Sequence, residues 1–151
     1  MRPLVITCLR ALLVVLVLGA LAAQTTILVV VATQGVPALA AAYAVVAVAA
    51  VACAEVALVA IWVLLSRVRR DVIFDESAFR WVDVIAGGGL AAALLMGALC
   101  VHAGQVDDAP GLGGIGIGIG LAGVAFVLLM VVMKGLLATA TRLRREIDEV
   151  V

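Results

Sequence analysis

The chain has 151 residues, of which 67% are apolar and only 13% charged, with ten Lys and Arg against ten Asp and Glu. A water-soluble domain of this size cannot hide so much apolar surface, since small folds leave a large fraction of their side chains outside. That excludes an ordinary soluble fold, the zero net charge excludes a global basic field for nucleic acid, and the excess apolar surface has to face lipid, which predicts an all-α integral membrane protein.

Crossing a hydrocarbon core of about 30 Å takes roughly 20 apolar residues. The first such run is residues 11–31, behind Arg2 and Arg10. Ala20 and Ala22 offer a small-x-small site, so a cleavable signal peptide is the competing reading. The run resumes as ILVVV at 27–31, too long for a signal core, and favours a span that stays. Its polar residues at depth are Gln24, Thr25 and Thr26, and Gly35 with Pro37 breaks it.

The second run, residues 39–65, carries Glu55 near the bilayer midplane, where a carboxylate costs about 2–3 kcal/mol. Twelve Val, Ile or Leu residues in the run, each favouring insertion by roughly 0.3–0.6 kcal/mol, outweigh that cost. Glu55 has two readings. One is a proton or cation site of a small transporter, with Trp62 at i+7 as a wall for a cation. The favoured one is a neutral acid hydrogen-bonded to Gln24, Thr25 or Thr26, because a transport path shows several polar groups and the later runs offer almost none.

Residues 66–80 read SRVRRDVIFDESAFR. Here Arg67, Arg69 and Arg70 stand against Asp71, Asp75 and Glu76, with Trp62 and Trp81 where an interfacial belt would put them. Asp75 suits a helix N-cap, and Asp83 can pair with Arg80 at i,i+3. The segment reads as interfacial anchoring or as a docking surface for a soluble partner or anionic lipid heads.

The third run is residues 82–101 and the fourth 112–133, joined by AGQVDDAPG at 103–111. His102, Asp107 and Asp108 have poor metal-ligand spacing, so no metal is expected. The fourth run opens GLGGIGIGIGLAG, which alternates like a strand, but a lone strand cannot span lipid with its backbone unpaired. As a helix it gathers Gly113, Gly116, Gly120 and Gly123 into one stripe, and Gly89, Ala93 and Gly97 form a matching stripe on the third helix. Close packing within the monomer is favoured; a homodimer is the alternative.

Beyond Lys134 an amphipathic extension, residues 134–151, places Leu136, Ala140, Leu143, Ile147 and Val150 at alternating spacings of four and three. Arg142, Arg144 and Arg145 each meet an acid four residues later. So narrow an apolar stripe calls for a partner: the membrane surface, the inner loop or a cytoplasmic protein.

All ten basic residues fall before the first run, between the second and third, or from Lys134 onward. The positive-inside rule then puts both termini in the cytoplasm, giving two antiparallel hairpins in a four-helix bundle of the plasma membrane, one domain over residues 1–151. Residues 66–72 (SRVRRDV) and 141–147 (TRLRREI) match by chemical class, which raises a duplicated hairpin against the simpler view that inner helix ends collect arginines. Cys8, Cys53 and Cys100 are isolated singletons read as packing residues. With no nucleophile–base pair, no paired catalytic carboxylates and no cofactor motif, no enzyme and no cofactor are expected, and no direct contact with nucleic acid.

At IFDESAFRWVDVI (73–85), with RVRRD before it and LRREIDEVV closing the chain, the sequence resembles a bacterial membrane family without assigned activity, the domain-of-unknown-function family numbered 2975, and its actinobacterial members most. The likeness covers the whole chain in hydropathy layout, with the specific residues in the inner loop and tail. It implies four spans and, from a small helix-turn-helix regulator encoded nearby in many genomes, a cytoplasmic partner. It brings no catalytic residues. Many members outside the actinobacteria have Gly where this chain has Asp71.

Overall fold

The structure is a computed structural model that describes the backbone of residues 3–68 and 76–148 and the side chains of residues 7–66 and 80–139. It contains helices α1 (Pro3–Thr33), α2 (Ala38–Val68), α3 (Glu76–Val106) and α4 (Pro110–Asp148). All four are long and apolar enough to cross a membrane, and the chain is a multi-pass membrane protein. Each helix overruns the apolar run that predicts it. Hydropathy measures the stretch that meets hydrocarbon, whereas backbone hydrogen bonding continues through the headgroup layer until something caps it. The fourth run and its amphipathic extension are one continuous helix of 39 residues, about 58 Å at 1.5 Å per residue.

Both described turns have identifiable stops. After α1, Gly35 adopts φ +58°, the left-handed conformation that ends a helix without a Cβ penalty. Pro37 follows, its carbonyl accepting from the Ala41 N–H at 3.0 Å in the first turn of α2. After α3 the left-handed position is held by Asp108, φ +54°, one of the few side chains that tolerate it. The Ala109 N–H donates to the Gly104 carbonyl at 2.9 Å, which closes the helix end. Pro110 then opens α4, where its missing N–H has no partner to lose.

Consecutive helices pack antiparallel. Among the described residues α1 packs on α2 alone, α2 also on α3, and α3 on α4. The start of α1, the end of α2, the start of α3 and the end of α4 therefore share one end of the bundle. The buried apolar residues are Leu13, Ala50, Ala57, Ala60, Ile85 and Ala103, mostly alanine. Lipid gives helices no hydrophobic reason to associate, so small side chains that admit close backbone approach occupy the interfaces. Large ones such as Val15, Leu121 and Leu128 lie exposed on the outer faces, where they meet acyl chains.

Candidate functional site

A polar seam runs between α1 and α2. At the arginine-bearing end, Arg10 Nη2 donates to Ser66 Oγ at 3.1 Å, Ser66 Oγ donates to the Trp62 carbonyl at 2.9 Å, and the Arg10 guanidinium lies over the Trp62 ring, 5.5 Å from its centroid. Above them Leu13, Val17 and Leu58 line a small apolar cavity of about 190 Å³ that reaches Trp62. These contacts identify the facing stripes. On α1, Arg10, Leu13, Val17, Ala20 and Gln24 alternate three and four apart, all less exposed than the residues between them; on α2, Glu55, Leu58 and Trp62 have the same spacing.

The register that joins Arg10 to Ser66 puts Gln24 opposite Ala52, within one turn of Glu55. Side chains lean toward their own helix N-terminus, so on antiparallel neighbours these two lean toward each other. Yet Glu55 Oε1 and Gln24 Nε2 are both buried with no hydrogen-bond partner, as is Arg10 Nε. The hydrogen bond expected at Glu55 Oε1 is thus not formed. The other candidates, Thr25 and Thr26, donate instead to the Ala22 carbonyl at 2.9 and 2.8 Å, satisfying their hydroxyls on their own helix. A buried group left unmet costs about 1–3 kcal/mol, so an acceptor and a donor stand uncompensated a turn apart inside the bilayer.

At the same end of the bundle, Lys134 Nζ donates to both oxygens of Asp83 at 2.7 Å. This corrects the expected Arg80–Asp83 pair: α4 brings Lys134 beside α3, and a contact between helices prevails over the local i,i+3 one. At the opposite end the Tyr43 hydroxyl and His102 Nδ1 are hydrogen-bonded at 2.8 Å with their rings edge-on, tying α2 to α3. Among the described residues no three His, Cys, Asp or Glu gather as metal ligands would.

The α3–α4 interface is a backbone contact. A Cβ on Gly97 would lie 2.7 Å from the Gly116 carbonyl oxygen, one on Gly116 would lie 2.5 Å from the Gly97 oxygen, and one on Gly123 would lie 2.5 Å from Ala93 Cβ. Gly89 faces the Phe126 ring, a movable neighbour. Gly113 and Gly120 have open space at their own Cβ positions but are approached through their backbones by Gly104 and Gly97. Two close positions lie outside the stripes read from the sequence: Gly104 at the turn, and Gly88, which meets the Cys53 carbonyl and Ala57 on α2. Continuing the i, i+4 spacing past Gly97 would have found Val101 and stopped, because Gly104 is three further on.

Of the residues expected to dock a partner, Arg69, Arg70 and Asp71 lie outside the described residues; Arg67 falls on α2 and Arg142, Arg144 and Arg145 on α4, with their side chains outside the described set. The repeat at 66–72 lies partly outside it too.

The profile of the family described as "Protein of unknown function (DUF2975)" matches residues 4–151, nearly the whole chain. No curated protein matches the chain, and no solved structure does.

Proposed function

The chain belongs to the DUF2975 family, and from that premise we propose that it is a non-enzymatic protein of the plasma membrane, both termini cytoplasmic, that holds a cytoplasmic protein through its inner loop and tail. The observation that supports this most is the unbroken length of α4 (Pro110–Asp148). Past the Lys134–Asp83 pair the helix rises about 21 Å more, beyond the hydrocarbon, and it carries Arg142, Arg144 and Arg145 on a stem rather than on a loose tail. A helix-turn-helix regulator is the partner class that the family resemblance favours, and it would bring nucleic acid near only indirectly. Affinity purification from native membranes tests the reading. Removing residues 142–151 is expected to lower recovery of the partner at least about tenfold, a loss of 1.4 kcal/mol, while Glu55→Gln leaves recovery unchanged. Equal recovery with and without the tail would sink it.

A second reading, a small proton-coupled transporter using Glu55, is favoured by the unmet Glu55 Oε1 and Gln24 Nε2 in the α1–α2 seam. In proteoliposomes carrying a potassium diffusion potential and an internal pH dye, Glu55→Gln is expected to abolish proton uptake and tail removal to spare it. If wild type takes up protons no faster than empty vesicles, this reading falls.

A further inference from the structure

Because, among the described residues, α4 packs on α3 and not on α2, α2 and α4 stand apart across α3 at the arginine-bearing end and leave a groove of about 630 Å³. Ile61 of α2, Ile85 of α3, and Phe126 and Met130 of α4 line it, and among the described residues Lys134 is its one polar lining residue. Methionine is unbranched and polarisable, suited to an irregular guest. Between Lys134 and Phe126 the helix rises about 12 Å, most of the roughly 15 Å of one hydrocarbon leaflet. The groove therefore has the depth of an acyl chain whose head sits at the level of Lys134.

The rim decides which head. Lys134 is bonded to Asp83, whose side chain is 60% exposed against 34% for the lysine, so the rim presents an ammonium and a half-open carboxylate side by side. A purely anionic head would set a second negative charge against Asp83, and a quaternary ammonium has no N–H to donate. A phosphate joined to a primary ammonium complements both groups: the phosphate accepts from Lys134 while the ammonium donates to Asp83, each a charge-assisted hydrogen bond. We propose that this groove is a site for one phospholipid bearing a phosphoethanolamine head, its acyl chain lying over Ile85 and its head across the Lys134–Asp83 pair. The site is independent of the partner and transport readings.

The full chain, purified into micelles containing equal amounts of phosphatidylethanolamine, phosphatidylglycerol and phosphatidylcholine, can be read by native mass spectrometry for the lipid it keeps. Retention of phosphatidylethanolamine is expected to exceed the other two by about tenfold, the ratio one charged hydrogen bond can supply. Asp83→Asn should erase its advantage over phosphatidylcholine while lipid is still retained. Met130→Trp, which plugs the groove from α4, should remove retention of all three. Equal retention of the three by wild type would reduce the groove to ordinary annular contact and overturn the proposal. So would a preference for phosphatidylglycerol, a lipid-free dimer filling the groove with a second copy, or an unchanged preference in Asp83→Asn, a variant small enough to leave the fold intact if the tryptophan is not tolerated.

Discussion

Gly116→Ala is expected to destabilise the α3–α4 pair by about 1–3 kcal/mol, even though alanine is intrinsically the better helix former by about 1 kcal/mol. The added methyl would sit 2.5 Å from the Gly97 carbonyl oxygen and 2.9 Å from the Val101 amide nitrogen. Both are main-chain atoms, so no side chain can swing aside and the two helices must part. Separation also loosens the neighbouring contacts at Gly97 and Gly123, because close approach at one point sets the distance at the next. Gly118→Ala is the control. Nothing lies within 4 Å of its Cβ position, so that change should be neutral or gain a few tenths of a kcal/mol from helix propensity. Detergent-titrated unfolding of the two variants gives the comparison, and equal midpoints would mean that α3 and α4 are not held together through their backbones.

Glu55→Leu is expected to act in the opposite direction and stabilise the α1–α2 hairpin by about 3 kcal/mol. It exchanges a residue costing about 2–3 kcal/mol at mid-depth for one that favours insertion by up to 0.6 kcal/mol, and it removes a buried acceptor, Oε1, that has no partner. Gln24→Leu should add a smaller gain for the same reason. The sign is informative. If the carboxyl were an internal staple, leucine would lower the unfolding midpoint in the same titration, and the seam would have to close on Glu55 in a way the unmet atoms do not describe. A residue whose removal stabilises the fold is one whose retention calls for a use.

The spans and their order were legible because each apolar run is as long as a bilayer is thick, and the close faces of α3 and α4 because glycine at a spacing of three and four has few other uses in a membrane helix. The ends of the helices were not. Glu76 and Thr33 belong to helices for reasons of backbone hydrogen bonding, to which hydropathy is blind. The pairing of Asp83 with Lys134, fifty-one positions away, was hidden because short-range rules see only Arg80. Glu55 and Trp62 could be put on one face by counting, but the cation over that ring turned out to be the chain's own Arg10, a fact that depends on how far one helix is shifted against another. The glycine at 104 was missed because its role comes from the turn beside it, where Asp108 folds α4 back at once.

A continuous α4 also has a mechanical meaning. Held against α3 from Gly116 to the Lys134–Asp83 pair and unbroken to Asp148, it is a lever with its fulcrum at that pair and a free arm of about 21 Å. A tilt of roughly 5° at the fulcrum, no more than the ordinary scatter of helix crossing angles, sweeps the far end through about 2 Å. A displacement of α4 against α3 is thereby carried to the level of Arg142, Arg144 and Arg145.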